Sequence, residues 1–238
     1  MKRSLTMQSS FSFPRRGGAR PGAGRKRVAE RTSVPHRARP KLSGRSPLHV
    51  TLRVASGLPS LRSRAAHAVL REALRAGADR LGFRVVHYGA LSNHLHLVCE
   101  AEDERALARG VKGLAVRIAR ALNRLWARGG ALFAERYHAR ELRTPREVRN
   151  VLVYVFGNAR RHGVVVSELL DPCSSADAFD GWKDAPLGPN GLRRPAGPGA
   201  STWLARARTW LLSIGWRRRG LLSIRDLPRG TPVAHGRG

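Results

Sequence analysis

The run Leu91-Ser92-Asn93-His94-Leu95-His96-Leu97-Val98-Cys99-Glu100 holds the first residues able to do chemistry. Leu95, Leu97 and Cys99 fall at every second position, so the run reads as a β-strand with one apolar face. Strand side chains alternate, and His94 and His96 therefore project together from the other face. Two imidazoles one strand step apart can hold a single divalent cation. Taken alone, the pair reads first as two solvent-facing histidines on a half-exposed strand. Further along stand Tyr154 and Asn158. On a helix these positions are i and i+4 neighbours, so a phenol and an amide would look out together.

Periodicity indicates the elements that must position these groups. Residues 48–54 alternate as a strand, and residues 60–81 follow a 3.6-residue period as a helix closed by Gly82. Residues 83–90 and 91–101 read as two strands of a hairpin turning near residues 89–93. A second helix spans 104–128 and stops at Gly129-Gly130, and residues 133–143 form a fourth strand. Thr144-Pro145-Arg146-Glu147 is a capping box with proline at the first helical position. It opens a helix running to about His162, with Gly163 as its stop. Val148, Val151, Leu152, Val155 and Ala159 form the buried stripe of that helix, flanked by Tyr154 and Asn158, with Arg161 on the same side. The order β-α-β-β-α-β and then a helix predicts an α+β fold of the ferredoxin-like plan, a four-stranded antiparallel sheet with packed helices.

Charge narrows the partner. The 238 residues hold 45 Lys and Arg against 16 Asp and Glu, a formal net charge of +29. Such an excess implies a polyanion, nucleic acid first. Nearly all the cations are arginine, the residue suited to bidentate phosphate contacts and stacking on bases. Residues 1–45 hold 13 cations and one acid, Glu30, with no core periodicity, and read as a disordered basic tail. Arg20, Arg25, Lys26 and Arg27 there, spaced by small and kinked residues, are candidate DNA contacts. Residues 46–165 hold the periodic elements. Residues 166–238 read as a C-terminal extension with aromatic anchors Phe179 and Trp182 and a short amphipathic helix over 203–216, followed by Arg217-Arg218-Arg219. Cys99 and Cys173 are far apart and in no CxxC motif, which argues against a thiolate metal site or a disulfide framework. No apolar run approaches a membrane span or a signal peptide, so a soluble, cytoplasmic protein is expected.

Ser92-Asn93-His94-Leu95-His96-Leu97, followed by Tyr154-x-x-x-Asn158, resembles the single-tyrosine HUH transposases, in particular the REP-associated tyrosine transposase branch. Arg136-Tyr137-His138 and the segment Gly18-Ala19-Arg20-Pro21-Gly22-Ala23-Gly24-Arg25-Lys26 resemble that branch as well. The resemblance covers residues 46–163 and, more loosely, the flanks. It implies that His94, His96 and Asn158 hold a divalent ion, Mg or Mn, and that Tyr154 attacks a phosphodiester. The tyrosine would become joined to the 5′ phosphate and free a 3′ hydroxyl. A phenol is a weak nucleophile until its proton is drawn off, which gives a cation such as Arg161 a role. The implied partner is single-stranded or hairpin DNA, contacted also by Arg160 and Arg161, with the protein a monomer or homodimer. Two departures stand out: Ala159 follows the asparagine where the branch usually has proline, and Gly157 lies inside the helix at a cost of ~1 kcal/mol relative to alanine.

Several residues compete for these roles. His49, His87 and His138 lie on strands as alternative ligands, and Glu100, on the face of His96, is a rival third ligand. Tyr137 and Tyr88 read as sheet packing. Two other functions fit the composition: a noncatalytic descendant that only binds hairpins, and an RNA-binding domain. The second would need exposed aromatics on central strands, where this chain has histidines.

Overall fold

The computed structural model describes residues 42–163, 170–184 and 203–228, all within the compact unit Arg39–Gly238. The tail cations Arg20, Arg25, Lys26 and Arg27 lie outside the described residues. Strand β1 (Leu48–Arg53) buries Leu48, Val50 and Leu52 on one face and turns His49, Thr51 and Arg53 to the other. Helix α1 (Arg64–Arg75) starts at Ser63, whose hydroxyl accepts the Ala66 N–H. A two-residue strand β2 (Asp79–Arg80) folds back through Leu81 and Gly82, both at positive φ, onto β3 (Phe83–Ala90). Strand β4 (His94–Ala101) follows a three-residue turn. Helix α2 (Glu104–Leu125) is capped by the Asp103 carboxylate. Strand β5 (His138–Glu141) leads to α3 (Pro145–Arg161), where the Thr144–Glu147 capping box forms as the sequence predicts. Gly163, at φ +70°, follows its end.

The sheet is antiparallel and open, in the order β2-β3-β4-β1-β5. It has five strands, which corrects the four-stranded plan: the residues expected to end the first helix form the edge strand β2 instead, pairing Asp79 with Arg84 and Arg80 with Phe83. The expected strand over 133–143 shortens to β5, with an isolated bridge from Phe133 to Val54. Each face of the sheet has its own core. On one side Leu70, Leu74, Val111, Leu114, Ile118 and Leu122 of α1 and α2 cover Val50, Leu52, Leu95 and Leu97. On the other, Leu152, Val155 and Phe156 of α3 pack with Val98, Phe179, Trp182 and Trp216.

Short helix α4 (Trp210–Ser213) and a 3₁₀ turn (Gly215–Arg219) replace the helix expected over 203–216. The cause is the buried carboxylate of Glu100. It accepts the backbone N–H groups of Arg208 and Thr209 and the Thr209 hydroxyl, and it pairs with Arg84 at 3.2 Å. The Ala205 N–H donates to the Val85 carbonyl, so the chain reaches α4 anchored along the sheet. Among the described residues no helix is long and apolar enough to cross a membrane.

Candidate active site

Strand pairing assembles a polar stripe on the α3 face of the sheet. His138 of β5, Thr51 of β1, His96 of β4 and Gly89 of β3 are successive cross-strand partners in one row. Arg140, His49, Val98 and His87 form the row beside it, and Arg53 opposes His94. The rings of His94 and His96 lie parallel, 5° apart, with centroids separated by 6.1 Å. Nδ1 of His96 is 3.2 Å from the Thr51 hydroxyl, and Nδ1 of His94 is 2.8 Å from the Asn93 side-chain oxygen. With Nδ1 donating in each pair, Nε2 keeps its lone pair, the arrangement that fixes metal-binding imidazoles from behind.

Helix α3 closes over this stripe. A Cβ on Gly89 would meet the Val155 carbonyl oxygen at 2.5 Å, so only glycine lets the helix backbone come this close beside His96. Tyr154 is thereby set against the imidazoles. Its ring stands edge-on to His96, with centroids 5.1 Å apart at 81°, and 5.7 Å from His49 at 71°. One turn on, Asn158 is 2% exposed, and neither its Oδ1 nor its Nδ2 has a hydrogen-bond partner. Tyr154 and Asn158 are spaced by four residues on α3, so Asn158 lies beside the phenol on the same side of the helix.

Burial keeps the rings neutral. It pushes His96 down to about 3, helped by neighbouring His49, His94 and His162. His49 falls to about 4, through burial first and then Arg140. His94 is lowered by burial, then by Arg53 and His162. Neutral imidazoles are the form that binds metals. Among the described residues no cluster of three His, Cys, Asp or Glu side chains could hold a metal ion. A cation here would have two imidazoles and would need its third protein ligand from another residue type. The orphaned amide of Asn158 has the right chemistry, because a buried polar group without a partner costs stability unless something else binds it. The donor set thus fits a divalent ion.

The rival residues separate. Glu100 is fully engaged with Arg84 and the 208–209 backbone, so it is not a third ligand. His87 packs edge-on between Phe156 and Phe179. His138 is exposed beside Glu135. Tyr88 is buried, 3.1 Å from His67 Nε2, and Tyr137 packs against the α1/α2 core, away from the imidazole stripe. Gly157 has a packing reason: a Cβ there would come within 3.0 Å of the Asp226 carbonyl oxygen and 3.2 Å of Pro228. Arg160 donates to the Ile224 carbonyl, which ties it to the same C-terminal segment, and Arg161 lies half-buried one residue on. Sequence reasoning missed Thr51, and it weighed His49 only as a ligand. Their alternation with Leu48, Val50 and Leu52 was the available signal.

No family model matches the chain, and neither does any curated protein. Among solved structures, it is similar to a REP-associated tyrosine transposase bound to a REP hairpin. That match has 15% identity and a TM-score of 0.49, over 60% of this chain and 82% of the other. It is similar also to a proposed transposase from Deinococcus radiodurans R1, at 19% identity and a TM-score of 0.36, over 47% of this chain and 86% of that one.

Proposed function

We propose that this chain is a single-tyrosine nuclease and strand transferase of the REP-associated transposase type, acting on single-stranded or hairpin-forming DNA. One observation carries the reading: Tyr154 stands edge-on to His96 while His94 stacks parallel to it, although helix and strand lie far apart in sequence. A lone tyrosine on a core helix needs no such company. The net charge of +29 suits a nucleic-acid substrate.

In this reading the Tyr154 hydroxyl attacks phosphorus. The phosphorus–Oη bond forms as the bond to the 3′ oxygen breaks. The phenol gives up its proton and the 3′ oxygen gains one. Phosphodiester energy is kept in the phosphotyrosine, so the reverse attack by a 3′ hydroxyl rejoins DNA without a nucleotide cofactor. His94, His96 and Asn158 would hold Mg or Mn, which when bound supplies Lewis-acid polarisation and orientation of the phosphate. Thr51 and Asn93 hold the two Nδ1 atoms, and Gly89 sets the distance of α3 from the sheet.

The test incubates wild-type, Tyr154→Phe and His96→Ala proteins with labelled hairpin DNA and Mn, then resolves covalent adducts on denaturing gels. Adducts from wild type alone are expected. Wild-type-like adducts from either variant reject that residue's role. Tight hairpin binding with no adduct from wild type would make this a noncatalytic hairpin-binding protein.

A further inference from the structure

Across the sheet from Tyr154, helices α1 and α2 leave a groove between them that no role above uses. Val69, Ala73 and Ala76 line it from α1 and its end, and Ala121 and Leu125 from α2, around a volume of about 450 Å³. Three of these five residues are alanines, so short side chains bound the groove and a second backbone can come close. A smaller hollow of about 320 Å³ continues along α2 past Val116 to Gly113, and the two share Arg117, Ala121 and Arg124. Leu125 is 39% exposed and Val116 42%, so large apolar side chains stand in water along one strip. The same helix carries Arg105, Arg109, Lys112, Arg117, Arg120 and Arg124, with Glu104 as its one acid. Glu104 is engaged with the Leu42 N–H. Glu72, the acid at the groove, is held by two hydrogen bonds from Arg75. The guanidinium groups of Arg117, Arg120 and Arg124 have no hydrogen-bond or ion-pair partner among the described residues. Arg120 and Arg124 are i and i+4 neighbours, a like-charge pair that disfavours the helix unless an anion meets it.

An occupant must satisfy both features at once, the apolar strip and the unpaired cations beside it. Duplex DNA would meet the guanidinium groups with phosphates and leave the alanines and Leu125 uncovered. A second copy of the chain would bring a net charge of +29 against a surface of the same sign. The chain's own long flanking segments, 1–41, 185–202 and 229–238, hold one acid between them, Glu30. An amphipathic helix with acidic flanks satisfies both. Its apolar residues at i, i+3, i+4 and i+7 seat in the groove, and carboxylates beside them reach Arg117, Arg120 and Arg124. Gly113 to Leu125 spans ~18 Å along α2 at ~1.5 Å per residue, room for about three turns of a helix laid beside it. We propose that the α1/α2 groove docks an acidic amphipathic helix of another protein. The site lies on the far face of the sheet from Tyr154, so it can be filled while the imidazole stripe stays open. It does not depend on the nuclease reading.

The experiment titrates full-length protein into labelled peptides of ~18 residues, about five helical turns, and reads anisotropy. One peptide has a leucine stripe at helical spacing flanked by glutamates. A second has the same composition with the stripe scattered, and a third has lysine for every glutamate. A blunt DNA duplex is titrated beside them. The first peptide should bind at least ~10-fold more tightly than the second, the effect of burying about one leucine, and the third should not bind. Arg117→Gln/Arg124→Gln should weaken it on the order of fivefold, as the loss of two surface ion pairs does. Ala121→Glu, which sets bulk and a like charge in the groove, should abolish it. Arg105→Gln/Arg109→Gln, on the same helix outside the groove, should change it by less than ~2-fold. Thermal melting of every variant should match wild type. No binding of the first peptide below ~1 mM, equal binding of the scattered peptide, or an equal loss from the Arg105/Arg109 pair overturns the docking site. If Ala121→Glu weakens the duplex as much as the peptide, α2 is a DNA-contacting face and the helix partner falls.

Discussion

Asn158→Leu separates function from stability. The asparagine is 2% exposed, and both side-chain polar atoms lack partners. Leaving an amide buried and unsatisfied costs about 1–3 kcal/mol. Leucine has nearly the same shape, so it fills the space without opening a cavity, and it adds a few tenths of a kcal/mol of helix propensity. The variant should thus be more stable than wild type by roughly 1.5–3 kcal/mol in EDTA, a rise in Tm of about 3–12 °C for a chain of this size. Excess Mn should raise the wild-type Tm, by ~2.7 kcal/mol of stability at a hundred times Kd, and leave the variant unmoved. DNA adducts should fall below detection. Thermal melts with and without Mn, beside the adduct gel, decide it. A destabilised variant would mean that the amide has a structural partner. A more stable variant that still cuts DNA would remove Asn158 from the site.

Three further outcomes follow from the same geometry. Gly89→Ala forces a Cβ against the Val155 carbonyl at 2.5 Å, so α3 must lift from the sheet. Stability should drop by about 1–3 kcal/mol, and adduct formation should slow by up to ~100-fold, as ~1 Å of misplacement can cost; an unchanged single-turnover rate refutes the close-approach argument. Acid should destabilise the fold early, because burial holds His49, His67 and His87 near 4 and His96 near 3. Below about pH 6.5 the unfolded chain takes up these protons and the folded chain does not. Stability is therefore full above that pH and falls toward pH 4, His96 alone contributing up to ~1.4 kcal/mol per pH unit; urea midpoints that stay level from pH 7 to pH 5 contradict this. Glu100→Ala leaves Arg84 buried without its partner and frees the 208–209 backbone. It should cost about 3–5 kcal/mol and expose Arg206 and Arg208 to trypsin, whereas a loss under about 1 kcal/mol, smaller than the usual cost of breaking such a pair, would show that the carboxylate is not the anchor.

What sequence made legible was local. Capping chemistry at Thr144 and Glu147, the alternation around His94 and the period of α2 each depend on residues a few positions apart, and all three elements formed. Elements set by distant groups were not legible: α4 is short because Glu100, more than a hundred positions earlier, holds the backbone ahead of it. The site shows the same divide. Alternation assigns His49 and Thr51 to the face of His94 and His96, since a one-residue slip of β1 would expel Leu48, Val50 and Leu52 from the core. A two-residue slip would keep every face, however, and set His49 or Arg53 opposite His96. The selection of Thr51 comes from bonds beyond the strand. The Val54 N–H reaches the Asn93 carbonyl, Ala55 reaches Leu132, and Leu142 returns to Pro47. These bonds pin β1 at both ends and place a hydroxyl, rather than a ring or a cation, behind the more buried imidazole. Either alternative would crowd His96 or set a guanidinium beside it, and the lone pair that the proposed chemistry needs depends on that register.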